Sequence, residues 1–259
     1  MIDVHNHLQD PRFCGEQERL VTAMREAGIT ACVVNGTCEE DWPEVARLAE
    51  RHPDFVIPAF GLHPWKVAAR SSSWLDTLAA FLESHPGAGL GECGLDRWMK
   101  NPDLEAQHEV FRAQLKLARD LHRPATVHCL RAWGPLLEDL KAIEPRPRFL
   151  LHSYGGSGEF ARQCLDLGAW FSFSGYFLHP RKAANREVFA ALPTDRILVE
   201  TDAPDMAPPD PPYHFGMHNH PANLPFIAEK LAVLCGCPVD TFARNAKKFL
   251  GRSDEELSV

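Results

Sequence analysis

The sequence predicts an α/β fold, a closed (β/α)₈ TIM barrel, on the basis of three observations. Eight short β-rich runs recur along the 259 residues. Segments with helical spacing separate these runs, and such alternation implies parallel strands joined by helical crossovers. Eight strand–helix units in roughly 250 residues are typical of a barrel, so we expect residues 1–259 to form a single domain. The predicted strands are Ile2–His5, Ala31–Asn35, Phe55–Phe60, Ala88–Glu92, Ala125–His128, Arg148–His152, Ala169–Ser174 and Ile197–Asp202.

An open, doubly wound sheet is the alternative fold. It would bind its ligands in one crevice rather than around a ring. No Gly-x-Gly-x-x-Gly or Walker-type loop follows an early run. A dinucleotide or nucleoside triphosphate site is therefore not expected.

The helical segments are recognised by their periodicity and their ends. In Glu16–Ala27, Leu20 and Met24 lie on one face, and Gly28 supplies a C-terminal stop. The other predicted helices are Leu104–His122, a helix that Ser157 caps and that runs to Leu167, and two after the last strand, Ala222–Cys235 and Pro238–Leu250. The Pro- and His-rich stretch Ala203–Pro221 predicts a long loop, because dense prolines block helix and central strand alike.

The composition is that of an ordinary soluble protein, with 45% apolar and 24% charged residues. No run approaches the roughly 20 apolar residues that span a bilayer, and no secretory signal is apparent. The eight cysteines form no Cys-x-x-Cys pair, which favours reduced thiols. We expect a cytoplasmic monomer with no membrane association and no stable protein partner.

The net charge of −8 argues against a protein that binds nucleic acid through its overall electrostatic field. Any chemistry on nucleic acid would need a local site, with metal ions supplying the positive charge.

Potential metal ligands stand at the carboxyl ends of the predicted strands. His5 and His7 share one face of the first strand because side chains alternate with a period of two, and Asp3 is expected on the same face. Four further strands end in the residues Glu92, His128, His152 and Asp202. In a barrel these ends meet at one mouth, where barrel active sites lie.

Six ligands are too many for one tetrahedral zinc ion, but they suit two divalent ions that share a carboxylate. Glu92 is the expected bridge. The first ion would bind His5, His7, Glu92 and Asp202, and the second Glu92, His128 and His152. Asp202 is the best candidate to orient or deprotonate an attacking water. Zinc, magnesium and manganese all fit these ligand types.

The motifs resemble those of the TatD family of metal-dependent deoxyribonucleases, within the amidohydrolase-like superfamily of barrels. The resemblance runs along nearly the whole chain. It is carried by the stretches Ile2–Leu8, Gly61-Leu62-His63-Pro64, Gly91–Asp96, Arg123–His128, Leu151–Ser157, Ser172–Gly175, Val199–Pro204 and Asn245-Ala246.

The resemblance implies hydrolysis of DNA phosphodiesters with a divalent metal, often as a 3′-to-5′ exonuclease. It places the family's metal residues on the same six positions. DNA, single-stranded or at its ends, is therefore the expected substrate. The residues alone lead only to metal-assisted hydrolysis.

Four residues are weaker candidates for substrate contact. His63 follows the third strand and is a candidate to contact substrate or donate a proton. Arg131 could reach a phosphate. Gly155 and Ser157 open a helix whose backbone N–H groups could face an anion.

Three departures from the family pattern affect the substrate more than the chemistry. Leu130 stands where many relatives have Arg. Arg97-Trp98 follows Asp96, and His214, His218 and His220 are candidates to replace a basic residue in the Ala203–Pro221 loop.

Two other functions remain open at this point. An amidohydrolase-type enzyme could use the same site on a small amide, lactone or phosphoester. A non-catalytic interaction module on a degenerate barrel is the alternative from a different class.

Overall fold

The computed structural model describes residues 1–252, and its centre is a barrel of eight parallel strands. Each strand pairs with the next in chain order, which confirms the predicted (β/α)₈ fold. The strands are β1 Ile2–Asn6, β2 Ala31–Asn35, β3 Val56–Phe60, β4 Gly89–Asp96, β5 Ala125–Leu130, β6 Phe149–Leu151, β7 Trp170–Phe173 and β8 Ile197–Val199.

Helices surround the barrel. They are α1 Gln17–Glu26, α2 Trp42–Arg51, α3 Trp74–Ser84, α4 Leu104–Asp120, α5 Trp133–Ala142, α6 Gly158–Asp166, α7 Ala183–Ala191, α8 Leu224–Cys235 and α9 Asp240–Leu250. In α1, Leu20, Val21 and Met24 form the buried face. Within residues 1–252, no single helix is long and apolar enough to cross a membrane. Residues Pro221–Cys235 and Asp240–Leu250 pass such a test only as a pair bent by 102°.

Alternate strand residues form two apolar layers. Val4, Val33 and Ile57 belong to a cluster inside the barrel, which Phe249 of α9 joins. The residues between them, such as Val34, pack outward against the helices. The interior below the mouth is therefore filled with side chains, and polar groups gather at its carboxyl end.

Several strand ends differ from the sequence prediction. β4 continues to Asp96, so Glu92 lies within the strand rather than at its end. β8 stops at Val199, and Asp202 lies on the loop beyond it with a left-handed φ of 53°. The predicted loop Ala203–Pro221 contains a short antiparallel hairpin, β9 His214–Phe215 and β10 His218–Asn219.

Two β-bulges direct predicted ligands into the barrel. The pairing of β1 with β2 shifts between Asp3 and Asn6, so Val4 and the next residue, His5, both face inward. β4 shifts against β5 between Leu90 and Cys93, and Glu92 lies in that bulge. Bulges commonly re-aim side chains near functional sites.

The first bulge makes the prediction for Asp3 wrong. Its carboxylate accepts hydrogen bonds from Thr201 N at 3.0 Å and Thr201 Oγ1 at 2.6 Å, on the face opposite the metal ligands. Asn6 Nδ2 donates a further bond at 3.1 Å. Asp3 therefore ties β1 to the chain that follows β8.

The seam between β8 and β1 is joined by residues of the predicted site. Asp202 N donates to His5 O at 2.9 Å, and His7 N donates to Ala203 O at 2.8 Å. The closure of the barrel thus brings His5, His7 and Asp202 together.

At Gly94 the backbones of β4 and β5 approach each other so closely that only glycine fits. Gly94 has φ 145°, and a Cβ there would lie 1.9 Å from the carbonyl oxygen of His128. We expect Gly94→Ala to lower the free energy of unfolding by roughly 3 kcal/mol or more, because the strand pair must separate. Chemical denaturation would measure this change.

Gly28→Ala is the matched control. Gly28 also has a positive φ, 81°, but an added Cβ would meet no atom of residues 1–252 within 4 Å. Its loss should be near 1 kcal/mol, from backbone strain alone. Equal losses for the two variants would contradict the close approach at Gly94.

Candidate metal centre

The buried carboxylate of Glu92 stands between two groups of side chains. One oxygen, Oε2, lies 3.4 Å from His5 Nε2 and 3.3 Å from His7 Nε2. The other, Oε1, lies 3.0 Å from His128 Nδ1 and 2.8 Å from His152 Nε2. The carboxylate thus presents one oxygen to each group.

The first group contains His5, His7 and Asp202. Asp202 Oδ1 is 3.3 Å from His5 Nε2 and 3.6 Å from His7 Nε2, and the two imidazole nitrogens are 3.1 Å apart. Together with Glu92 Oε2, this group contains the four residues that the sequence predicts as ligands of the first ion.

The second group contains His128, His152 and a further histidine, His63. His128 Nδ1 and His152 Nε2 are 3.2 Å apart, and His63 Nε2 lies 3.2 Å from Glu92 Oε1. The other five predicted metal residues therefore cluster around the carboxylate of the sixth, Glu92.

Hydrogen-bond partners assign the neutral tautomers of His7 and His128. His7 Nδ1 lies 2.8 Å from the carbonyl oxygen of Asn35, so the neutral ring carries its proton on Nδ1 and can bind an ion through Nε2. His128 Nε2 faces Asp96 Oδ2 at 3.2 Å, which leaves Nδ1 free to bind an ion. His152 Nδ1 faces Glu200 Oε1 at 3.6 Å, beyond a normal hydrogen bond. Such outer partners are usual for metal-binding histidines.

His63 has the opposite tautomer. Its Nδ1 accepts a hydrogen bond from Trp65 N at 3.1 Å, so the neutral ring carries its proton on Nε2. That proton points at Glu92 Oε1. Burial lowers the pKa of His63 to about 4, which keeps the ring neutral. The tautomer therefore favours a hydrogen-bond donor to Glu92 over a metal ligand.

The electrostatics of the site favour ionised carboxylates. Burial opposes the charge on Glu92, but the positive charge of His152 and hydrogen bonds from His128 and His152 outweigh it and hold the pKa of Glu92 well below its usual value. Burial likewise opposes the charge on Asp202, and hydrogen bonds from His5 and His7 lower its pKa. Both carboxylates are thus anionic near neutral pH.

The donor set fits a divalent metal. Ligands about 2.0–2.2 Å from one tetrahedral ion lie roughly 3.3–3.6 Å apart, close to the 3.1–3.6 Å separations within the first group. Imidazole nitrogen and carboxylate oxygen suit zinc, manganese and similar ions. The groupings His5–His7–Asp202 and His63–Glu92–His128 each bring their ligand atoms within 4.8 Å of one another.

Two carboxylates behind the ligands were not predicted as site residues. Glu200 is fully buried and accepts bonds from Ser153 N at 2.8 Å and Ser153 Oγ at 2.6 Å. Asp96, also buried, faces His128. Both lie in motifs that the sequence displays, Val199–Pro204 and Gly91–Asp96, but nothing in the motifs identifies their partners.

Three of the residues predicted to contact substrate, Arg131, Gly155 and Ser157, lie on the loops that follow β5 and β6. Arg131 is exposed beyond β5, with φ 57°, and Leu130 is the last residue of that strand. Gly155 is exposed. The side chain of Ser157 caps α6 by accepting from Phe160 N at 3.3 Å, as predicted. The substrate contacts of these residues stay predictions.

His220 does not supply the positive charge considered for the Pro- and His-rich loop. Its Nδ1 accepts from Ala222 N at 3.0 Å, and its ring stacks on Tyr213 with centroids 5.5 Å apart. Burial lowers its pKa to about 4. The ring is therefore neutral and serves the local turn.

Comparison with known proteins gives consistent matches along the whole chain. Residues 2–251 match the family model described as TatD related DNase. A relative from Pantoea ananatis, named 3'-5' ssDNA/RNA exonuclease TatD, is 32% identical, with 97% of this chain and 99% of the relative covered.

Solved structures share the architecture. YJJV, a TatD homolog from Escherichia coli, superposes with a TM-score of 0.90 at 30% identity, covering 98% of both chains. A TatD family hydrolase from Entamoeba histolytica gives a TM-score of 0.86 at 18% identity, covering 96% of this chain and 97% of its own. The second match concerns the fold alone.

The contacts of Glu200 lead to a prediction about metal affinity. Glu200→Gln keeps the shape of the side chain but removes the charge behind His152. We expect metal affinity to fall by roughly 10- to 100-fold, the usual effect of losing such a partner. Calorimetric titration of the metal-free protein with Zn²⁺ or Mn²⁺ would measure it.

Asp139→Asn is the control. Asp139 is an equally buried carboxylate, on α5, that pairs with His108 and Arg112. Its replacement should lower stability without changing metal affinity. A similar loss of affinity in both variants would show that general destabilisation, rather than the Glu200–His152 contact, is responsible.

Proposed function

The chain belongs to the TatD-related DNase family and is a metal-dependent hydrolase, and on that premise we propose that it cleaves phosphodiester bonds of DNA from a 3′ end. The observation that carries the proposal is the position of Glu92 between two ligand groups. The name of the Pantoea ananatis relative supports a single-stranded nucleic acid as substrate.

Two divalent ions would fit the site, with Glu92 as their shared ligand. The first would be held by His5, His7, Asp202 and Glu92 Oε2. The second would be held by Glu92 Oε1, His128 and His152. When bound, such ions lower the pKa of water and offset negative charge on a phosphate.

Asp202 is positioned to serve as the general base. It is mostly buried, its pKa is held low, and it follows β8 at the rim of the mouth. In the reaction, the oxygen of water forms a bond to phosphorus and the bond to the sugar oxygen breaks. Asp202 takes the proton from the water, and solvent protonates the leaving oxygen. Proton transfer to a positioned base contributes roughly 10²- to 10⁴-fold to rate.

His63 has a positioning role in this chemistry. Because its Nε2–H points at Glu92 Oε1, it fixes the orientation of the bridging carboxylate. We also propose substrate contacts for His63, Arg131, Gly155 and Ser157.

A local site is required because the protein carries a net charge of −8. An acidic surface repels the phosphate backbone except where cations are held. The proposal thus places the attraction for the scissile phosphate at the ligand groups. It also predicts that cleavage stops when a chelator removes the metal.

The proposal predicts cleavage of oligonucleotides by the purified protein with Mg²⁺, Mn²⁺ or Zn²⁺. Single-stranded DNA labelled at its 5′ end should shorten stepwise from the 3′ end. Asp202→Asn should reduce kcat by roughly 10²-fold or more because the base is lost. Gel analysis of the products would show both the polarity and the rate.

Asp205→Asn provides the matched control. Asp205 is a carboxylate three residues further along the same loop, but it is exposed and pairs with Arg12. Its variant should keep near wild-type activity. If the wild-type protein cleaves no oligonucleotide with any of the metals and instead hydrolyses a small ester or amide, the amidohydrolase alternative replaces this proposal.

A further inference from the structure

Two large aromatic side chains are exposed near the mouth of the barrel. Trp65 follows β3 and is 53% exposed, and Trp98 follows β4 and is 59% exposed. Tryptophan is usually buried for most of its surface because its apolar area is large. Exposure of two such rings beside one site calls for a functional explanation.

Both tryptophans are anchored by one buried carboxylate. Asp96 Oδ2 accepts from Trp65 Nε1 at 2.6 Å, and Asp96 Oδ1 accepts from the backbone N of Trp98 at 2.6 Å. Asp96 Oδ2 also faces His128 Nε2 at 3.2 Å. The indole of Trp65 and the backbone of Trp98 are therefore held by the same carboxylate that faces His128, a ligand of the metal centre.

The indole of Trp65 is held in one orientation. Its nitrogen is bonded to Asp96, its backbone N donates to His63 Nδ1, and its ring meets the His63 ring edge-on, with centroids 5.2 Å apart and planes at 86°. The ring is fixed before any ligand arrives, so little side-chain entropy is lost when a flat partner stacks on it.

We propose that Trp65 and Trp98 form a stacking platform for the bases of a single-stranded nucleic acid whose scissile phosphate lies at the metal centre. This inference rests on the proposed function and assigns the residues that recognise the substrate. Nucleobases stack on aromatic rings without regard to sequence. Stacking also needs no positive charge, which suits an acidic protein. Bases within a duplex are already stacked on their neighbours, so the platform favours unpaired ends.

Trp98→Leu is the cleanest test because the side chain of Trp98 does not form the bond to Asp96. We expect its KM for a single-stranded oligonucleotide to rise roughly 5- to 150-fold, the range for the loss of one stacked base, with kcat nearly unchanged. Metal affinity should stay at the wild-type value. Trp65→Leu should raise KM similarly, and Trp65→Phe should restore much of the loss because an aromatic face remains.

An oligonucleotide with abasic sugars at its 3′ end separates stacking from other effects. The wild-type protein should bind it at least as weakly as Trp98→Leu binds the normal oligonucleotide, and a double variant with Trp65→Leu and Trp98→Leu should no longer distinguish the two substrates. Binding can be followed in the Asp202→Asn protein, in which cleavage is slow, with metal present. There, single-stranded DNA should quench tryptophan fluorescence, less so when Trp65 or Trp98 is also replaced.

The platform is overturned if the Leu variants keep the wild-type KM, or if the wild-type protein treats abasic and normal ends alike. Failure of the proposed function gives a different pattern, in which no oligonucleotide is cleaved by any form of the protein. The fluorescence titration then decides the stacking on its own, and the absence of quenching removes the platform as well.

Discussion

The seam between the last and first strands is the constraint on which the site depends. Asp202 and His5 form one of its backbone hydrogen bonds, and His7 forms another with Ala203. A barrel that did not close would separate the two imidazoles from the carboxylate across the seam. Asp3 and Thr201 strengthen the same junction from the opposite face. Folding and assembly of the first ligand group are consequently one event, which explains how side chains about 200 positions apart in sequence meet within 3.6 Å.

Glu92 connects this seam to the far side of the barrel. Its two oxygens lie close to different histidines, and the bulge in β4 turns its side chain inward. Burying such a charge is unfavourable unless cationic groups or metal ions compensate it. The surrounding imidazoles supply that compensation. The outer ring nitrogens of His7, His128 and His152 face, in that order, the carbonyl oxygen of Asn35, the carboxylate of Asp96 and the carboxylate of Glu200. The metal centre is thus one electrostatic unit, which extends through Asp96 to the exposed tryptophans.

The sequence was sufficient for the fold and for the convergence of the six candidate ligands, because a barrel places the carboxyl ends of all its strands at one mouth. It was not sufficient for local register. Strict alternation placed Asp3 beside His5, whereas the bulge in β1 separates them. The partners of Glu200 and Asp96 could not be predicted, since each contact joins different strands and depends on distances that periodicity does not encode. The tautomer of His63 depends similarly on one turn and its backbone N–H group.

The central claim is that one carboxylate is shared by two metal-binding groups. Anomalous diffraction from crystals grown with Mn²⁺ or Zn²⁺ tests it most directly. We expect two peaks on either side of Glu92, one among His5, His7 and Asp202, and the other beside His128 and His152. A single ion, or ions that leave Glu92 bound on one side only, would contradict it.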